Sequence, residues 1–297
     1  MMNFNLLSHF QNINTWKSKG IRAPHKPLLM LLALGEIQRG NTGFIPNTSI
    51  EPRLKDLLLD FGPQRKTLYP NFPFTKLAND KLWQFNKPEL LDTKQDYTSK
   101  FLRDHDLQGK FPDEVTQQLK QSPELLRSIA ELILEQNFPD TLHQDILDAV
   151  GLDLTATPTG NKVRTAKKRD PEFRERILKA YEYQCAVCGF GVRLKHKVLA
   201  LEAAHIMWHQ AGGPDREVNG LALCATHHKL FDLGAFTVNA ELKLLVSDEV
   251  NGIGSKEWLL QHHGKSITPP QKKAFYPDPE FTSWHVNEVF KGGYRDV

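Results

Sequence analysis

The sequence predicts an α+β fold in two domains, a mostly helical first domain with short strands and a second domain built around two strands and a helix. The chain has 297 residues, which is enough for two cores of ordinary size. A stretch without helical or strand periodicity, residues 153–170, divides it. Apolar residues recur at helical spacing before this stretch, and short strand-like segments are frequent after it.

The first domain is predicted to cover residues 1–152. Its clearest helix is the apolar run after Pro27, which is hydrophobic on every face and is therefore expected to be buried. This run is far shorter than the ~20 apolar residues that a membrane span requires. The predicted elements are, in order, a helix over residues 4–13, the helix from Pro27, strands at 44–45 and 82–85, and a helix over 123–135.

The stretch of residues 153–170 is predicted to be a linker with a basic end. It is small and polar up to Gly160 and then carries five cationic side chains, Lys162, Arg164, Lys167, Lys168 and Arg169. Such a run either contacts nucleic-acid phosphates or is a solvated surface, and the sequence leaves both open.

The second domain is predicted to cover residues 171–297. A strand that ends at His205 and a segment that starts at Leu221 are expected to form a hairpin, and a helix is expected to begin at His228. The other predicted elements are a helix over residues 171–181, a strand over 242–247, and short helices around Trp258 and Trp284.

All three cysteines of the chain lie in two short knuckles of this second domain. Cys185 and Cys188 form the first, and Cys224 with His227 forms the second. Three thiolates and one imidazole are a ligand set that tetrahedral Zn²⁺ accepts, and four such ligands leave no position for water. We therefore expect a closed, structural zinc site.

A second group of polar residues is interleaved with the knuckles. His228 and Asp232 are four residues apart, so a helix would place them on one face, where they could bind a hard divalent cation. A neutral imidazole at His205 could take a proton from an attacking water, and the amide of Asn219 could orient the loop that carries it. These residue types indicate hydrolysis of a phosphodiester with Mg²⁺ or Mn²⁺.

This arrangement resembles the HNH, or ββα-metal, endonucleases over about residues 180–240. The resemblance assigns His205, Asn219 and His228 as the H, N and H of that family, with Asp232 as a further metal ligand. Many members have an acidic residue or histidine immediately before the base, where this chain has Ala204. Glu202 lies two residues earlier, shares its strand face, and is the expected substitute ligand.

Composition is compatible with these predictions without adding to them. Hydrophobic residues make up 40% and charged residues 25% of the chain, and the net charge is only +3, so overall charge does not by itself indicate a nucleic-acid partner. Three cysteines assigned to one metal site favour a reducing compartment, and we expect a cytoplasmic protein without membrane contact.

Two clusters stand out in the first domain. Arg22, His25 and Lys26 precede the buried helix, whose free N–H groups favour an anion. The segment from Tyr69 to Phe74 is rich in aromatic residues and proline and is either a ligand surface or a stiff turn that packs on its own core.

These clusters resemble the sulfur-binding domain of McrA-like, type IV restriction enzymes, which recognise phosphorothioate-modified DNA. The resemblance implies that Arg22, His25 and Lys26 contact the modified backbone of double-stranded DNA. It also implies that a second group lines a pocket for the sulfur atom: Tyr69, Pro70 and Pro73.

Three functions are compatible with the sequence. The leading hypothesis is a restriction endonuclease that recognises phosphorothioate-modified DNA and cuts nearby. The alternatives are an HNH nuclease directed to a modified base, and a zinc-stabilised DNA-binding regulator without catalysis. One HNH site cuts one strand, so cleavage of a duplex implies a homodimer or successive nicking.

Overall fold

A computed structural model of the chain describes residues 6–13, 20, 22–92, 94–155 and 170–296. The chain divides into two compact units. Unit 1 comprises Met1–Lys17 and Ala23–Ala166, and unit 2 comprises Ser18–Arg22 and Lys167–Val297. The predicted domain limits stay a prediction, but the grouping of residues 18–22 with unit 2 was not expected. Most of the predicted basic linker, residues 156–169, lies outside the described residues.

Unit 1 is mainly helical. Its helices are α1 (Leu6–Gln11), α2 (His25–Gln38), α3 (Asn47–Phe61), α4 (Asn71–Lys76), α5 (Ser99–Asp104), α6 (Asp113–Gln121), α7 (Pro123–Asn137) and α8 (His143–Val150). Its strands are β1 (Ile45–Pro46), β2 (Gln84–Phe85) and β3 (Gln108–Lys110). The mostly helical character expected from the sequence is therefore observed, although the sequence predicted only three of the helices.

Helix α2 is the centre of this unit. It packs against α3, α4, α6, α7 and α8. Every residue from Pro27 to Gly35 is buried, which agrees with the prediction for this run. The helix begins two residues earlier than predicted, at His25, because proline is accommodated in the first turn, where N–H groups have no intrahelical partner.

The three short strands form one antiparallel sheet in the order β1-β3-β2, with Gly109 of β3 opposite both Ile45 and Phe85. Gly109 is required by close packing, since a Cβ there would lie 2.1 Å from the Nε1 atom of Trp83. The two outer strands lie close to the predicted positions, whereas β3 was not predicted.

Unit 2 contains α9 (Phe173–Ala180), α10 (Ala225–Asp232), α11 (Ser255–Trp258) and α12 (Pro279–Glu288). Its strands are β4 (Arg193–Leu194), β5 (Lys197–Val198), β6 (Leu201–His205), β7 (Gly220–Cys224), β8 (Phe236–Val238) and β9 (Leu244–Val246). They pair in sequence order as three two-stranded antiparallel hairpins. Residues from α9, β6, β7, β8 and β9 form a common apolar core.

The fold is thus mixed helix and strand with small sheets, as the α+β prediction requires. Helix α10 begins at Ala225, so the prediction that it begins at His228 was three residues too late and both neighbouring histidines lie on it. Among the described residues, none of the helices is both long and apolar enough to cross a membrane.

Candidate active site and metal centre

The site is built on the hairpin β6–β7 and the helix that follows it. His205, the last residue of β6, lies opposite Gly220, the first residue of β7. Asn219 immediately precedes β7, and α10 starts directly after β7 and carries His228. This connectivity is the strand-strand-helix element predicted from the sequence, and it brings the three residues onto one small scaffold.

Asn219 holds the loop that follows His205. Its buried side-chain amide donates to the carbonyl oxygens of Met207 and Pro214, each at 3.0 Å, and its Oδ1 accepts from the amide of Met207 at 2.8 Å. Gly213 lies against the same point, since a Cβ there would be 1.8 Å from the Met207 carbonyl oxygen. The loop is therefore closely packed, and Asn219 fixes it, as expected if Asn219 orients His205.

His205 is held by an acidic residue that the sequence did not predict. Its Nε2 lies 2.8 Å from Oδ1 of Asp215, and its ring stacks on Phe173 with centroids 4.2 Å apart. Burial raises the pKa of Asp215, but a hydrogen bond from the Asp170 amide and the contact with His205 outweigh it and lower the pKa. Asp215 is one of two acidic residues in the loop between His205 and Asn219, the other being Glu217, and the acidic character of this loop was the available sequence signal.

His228 lies between two carboxylates. Its Nδ1 is 2.7 Å from Oε2 of Glu202, and its Nε2 is 3.2 Å from Oδ2 of Asp232. The two nitrogens of an imidazole point in different directions, so in this arrangement the two carboxylates cannot share one ion bound to His228. Burial lowers the pKa of His228, but Asp232 and Glu202 outweigh this effect and raise the pKa to about 9.

Asp232 is the more enclosed of these two carboxylates. Its side chain is 1% exposed, against 45% for Glu202. Its other oxygen, Oδ1, accepts a hydrogen bond of 3.0 Å from the indole N–H of the buried Trp208. Asp232 is therefore fixed on both sides, as is typical of a residue that orients a metal-binding histidine.

The two knuckles meet in a compact four-residue cluster. The Sγ atoms of Cys185, Cys188 and Cys224 and the Nδ1 atom of His227 all lie within 4.8 Å of one another. Individual separations are 3.6 Å for Cys185–His227, 3.2 Å for Cys224–His227 and 4.0 Å for Cys188–Cys224. Ligand atoms on a tetrahedral zinc are about 3.8 Å apart when metal–sulfur bonds are about 2.3 Å, so these residues fit the ion.

The ring of His227 is oriented for this role. Its Nε2 lies 2.8 Å from the carbonyl oxygen of Trp258, so an N–H there donates and the lone pair of Nδ1 faces the sulfur atoms. Hydrogen bonds from the Cys188 and Cys224 thiols lower the pKa of Cys185, which favours the thiolate that zinc binds. Among the described residues, this cluster alone brings three or more ligand atoms together in this way.

The three predicted cations are divided between the two units. His25 and Lys26 open α2, but Arg22 belongs to unit 2. Lys26 forms an ion pair of 2.6 Å with Asp80. Burial, and then the charge of the exposed Arg65, lower the pKa of His25. Arg65 was not singled out by sequence reasoning, and it is a cation close to the start of α2.

The aromatic and proline segment lies at the start of α4. Tyr69 is 46% exposed and stacks on Phe72 with centroids 4.7 Å apart and ring planes within 5°. Pro70 and Pro73 are buried. Tyr69 therefore presents an open aromatic surface, whereas the two prolines are enclosed. The assignment of all three residues to one pocket stays a prediction.

Comparison with known proteins assigns both units. Residues 3–155 match a family model described as the ScoMcrA-like DNA sulfur-binding domain, and residues 185–239 match an HNH endonuclease family model. The second match confirms the predicted resemblance and identifies the chain as a nuclease. No curated protein matches the chain.

Solved structures give weaker similarities. The sulfur-binding domain of ScoMcrA in complex with phosphorothioated DNA is 21% identical, with a TM-score of 0.43, over 49% of this chain and 94% of that chain. The phosphorothioation-dependent restriction endonuclease ScoMcrA is 19% identical, with a TM-score of 0.40, and the match covers 49% of this chain and 27% of that one. The modification-dependent TagI restriction endonuclease is 24% identical, with a TM-score of 0.30, over 39% of this chain and 37% of that one.

The sulfur-binding model covers slightly more than half of the chain, and it ends before the HNH model begins. The resemblance predicted for the first domain is thereby confirmed. The chain belongs to the family of ScoMcrA-like DNA sulfur-binding domain proteins and carries an HNH endonuclease domain after that domain.

Proposed function

We propose that this protein is a restriction endonuclease that recognises phosphorothioate-modified DNA with unit 1 and hydrolyses a phosphodiester nearby with unit 2. The observation that carries the proposal is the presence, in one chain, of a match to the DNA sulfur-binding family and a match to the HNH endonuclease family. A nuclease joined to a domain for a rare backbone modification is directed to DNA that bears the modification.

In the proposed reaction, His205 removes a proton from a water molecule, which attacks the phosphorus atom as the bond to the leaving oxygen breaks. Asp215 holds Nε2 of His205, so we assign the proton transfer to Nδ1. Asn219 fixes the loop that follows His205. A Mg²⁺ or Mn²⁺ ion would stabilise the negative charge that develops on the phosphate oxygens.

We assign this cation to Glu202 and Nδ1 of His228, with DNA oxygens and water as its remaining ligands. Asp232 would hold the opposite nitrogen of His228, which revises its predicted role from direct ligand to orienting partner. The contacts on the two ring nitrogens and the low exposure of Asp232 support this division. Zn²⁺ is assigned to the cluster of Cys185, Cys188, Cys224 and His227, where it would join the first knuckle to α10.

Sulfur can be distinguished from oxygen by desolvation. A phosphorothioate sulfur is larger and more weakly hydrated than the oxygen it replaces, so it enters an apolar surface at lower cost. Placing the ordinary oxygen there leaves an acceptor unsatisfied at a cost of about 1–3 kcal/mol, roughly a tenfold to hundredfold difference in affinity. The exposed ring of Tyr69 is the apolar surface that we assign to the sulfur.

The proposal is tested with two plasmids of identical sequence, one carrying backbone sulfur, incubated with the full chain and Mg²⁺ or Mn²⁺. We expect cleavage of the sulfur-containing plasmid only. Cutting of both plasmids would exclude sulfur recognition. Cutting that depends on modified bases in the DNA, and not on backbone sulfur, would also exclude it. Binding of sulfur-containing DNA without cutting under any cation would identify a regulator. The dependence of rate on protein concentration separates a homodimer from successive nicking.

Substitution of Tyr69 by alanine should narrow the preference for sulfur. We expect the ratio of affinities for modified and ordinary DNA to fall by roughly tenfold, because the apolar face is lost while the predicted backbone contacts of His25 and Lys26 remain. Titration of both DNAs against the full chain measures the ratio. Tyr69→Phe keeps the ring and should keep the ratio, and equal losses of affinity for both DNAs in Tyr69→Ala would exclude the assignment.

Unit 2 has a basic hairpin, β4–β5, that is suited to hold DNA at the cutting site. Arg193, Lys195, His196 and Lys197 are all exposed on it, and residues 183–201 include no aspartate or glutamate. Within the described part of the chain, neither lysine forms an ion pair. The hairpin leads directly into β6, which carries Glu202 and His205. We assign it to the DNA backbone.

Reversal of both charges, with Lys195→Glu and Lys197→Glu, should weaken binding of modified and ordinary DNA alike. The slope of log affinity against log salt is negative, and each lost phosphate contact makes it less steep by about 0.9, so we expect its magnitude to decrease by roughly 2. Affinity measured at several salt concentrations gives this slope. The control variant, Lys272→Glu with Lys273→Glu, changes the net charge by the same amount at two other exposed lysines. An equal loss of DNA affinity in this control would show that the effect comes from net charge and not from the hairpin.

A further inference from the structure

A short upstream segment is part of the nuclease unit. Residues 18–22 belong to unit 2, although they are separated by more than 140 residues from the rest of that unit. The indole N–H of Trp284 donates to the carbonyl oxygen of Gly20 at 2.7 Å. The backbone N–H of Arg22 donates to Oε2 of Glu288 at 3.0 Å, and its Nη2 donates to the carbonyl oxygen of Glu288 at 2.8 Å. Gly20 and Arg22 are thus anchored on α12.

Arg22 is the start of a series of contacts that ends at the proposed cation site. Its guanidinium carbon lies 4.0 Å from the centroid of the Trp208 ring. Trp208 is 2% exposed and donates from Nε1 to Oδ1 of Asp232 at 3.0 Å. The other oxygen of Asp232 lies 3.2 Å from Nε2 of His228. Each member of the series therefore contacts the next.

A planar guanidinium over an indole face is attracted to the ring and restricts its movement, and this attraction is strongest where water is excluded. The indole N–H can fix Asp232 only while the ring stays in place. Asp232 in turn sets the ring plane of His228 and the nitrogen that it presents. Loss of a residue that orients a metal-binding histidine typically lowers metal affinity or activity by about 10- to 100-fold.

We propose that Arg22 is a positioning residue of the nuclease site, which acts through Trp208 and Asp232 on His228 and does not contact DNA. This role replaces the backbone contact that the sequence resemblance implied for Arg22. The proposal rests on the proposed function of His228 as a cation ligand.

The test compares Arg22→Ala with the wild-type full chain. We expect the affinity for Mn²⁺, measured by calorimetry on the zinc-loaded protein, to fall by about 10- to 100-fold. The Mn²⁺ concentration for half-maximal cutting should rise by the same factor, while zinc content and affinity for modified DNA stay unchanged. Arg22→Lys should lie between the two, because lysine keeps the charge and loses the planar stacking surface.

Two further variants distinguish the positioning role of Arg22 from poor folding of Arg22→Ala and from direct contact of Arg22 with DNA. Trp208→Phe keeps an aromatic ring but removes the indole N–H, so it should also lower Mn²⁺ affinity. This variant tests the same series of contacts if Arg22→Ala folds poorly. Arg65→Ala removes an exposed cation of unit 1 and should lower DNA affinity without changing Mn²⁺ affinity. If Arg22→Ala also lowers DNA affinity and leaves Mn²⁺ affinity unchanged, the proposal is overturned.

Failure of the proposed function gives a different result. If the wild-type chain neither binds Mn²⁺ nor cuts DNA, the assignment of His228 as a cation ligand is wrong. The positioning role is then decided by the NMR signals of the His228 ring. These signals should shift in Arg22→Ala, since the ring plane is no longer fixed, and unchanged signals would overturn the proposal.

Discussion

Replacement of Cys185 by serine is expected to remove zinc from unit 2 and to unfold that unit. Cys185 is fully buried and supplies one of the four ligand atoms of the cluster. A serine hydroxyl is a hard and weak ligand for zinc, so three ligands would remain. Structural zinc contributes about 10 kcal/mol or more in small domains, and this free energy is also folding free energy.

Zinc content should therefore fall from about one ion per chain to nearly none, and the melting transition of unit 2 should be lost. Elemental analysis and thermal melting of the full chain measure both quantities. Unit 1 has its own core around α2, so its melting transition should persist and serves as an internal reference. A Cys185→Ser protein that keeps its zinc and its melting midpoint would show that the ligand set is wrong.

The neighbouring histidines provide a matched pair of variants for the same question. His227 faces the sulfur cluster, whereas His228 contacts Glu202 and Asp232. His227→Ala should lose zinc and melt like Cys185→Ser. His228→Ala should keep zinc and should require more Mg²⁺ or Mn²⁺ for cutting. Loss of zinc from both variants would contradict the separation of the two metal sites.

Features that depend on local sequence could be predicted. The run after Pro27 identified α2, because a helix that is apolar on all faces has to be buried. The spacing of the knuckles predicted a cluster that the structure does bring together, since each pair needs only one turn of chain. The hairpin that carries His205 was predicted as a strand that ends at His205 and a segment that starts at Leu221, and it is observed as β6–β7.

Features that depend on distant contacts could not be predicted. Arg22 was grouped with His25 by sequence position, but it bonds to Glu288, which is 266 residues away. Lys26 contacts Asp80, 54 residues away, and no periodic pattern signals that pair. Strand β3 has only three residues and pairs through backbone groups that carry no side-chain signature.

Replacement of His205 by alanine is expected to abolish cutting while the protein stays folded and binds DNA. A positioned general base contributes about 100- to 10,000-fold to the rate, and the loss should appear in kcat. His205 is at the end of β6 and outside the zinc cluster, so zinc content should not change. Single-turnover cleavage, zinc analysis and DNA titration of the full chain measure the three properties.

Chemical rescue distinguishes a base from a structural imidazole. The cavity left by the side chain lies between Phe173 and Asp215, which stack on and bond to the native ring. Added imidazole can occupy this space and accept the proton, so it should restore part of the rate in His205→Ala, with a pH dependence that follows the added base. His105→Ala, which removes an exposed imidazole of unit 1, should cut at the wild-type rate. A His205→Ala protein that cuts within about tenfold of the wild-type rate would exclude His205 as the base, because general-base catalysis contributes more than this.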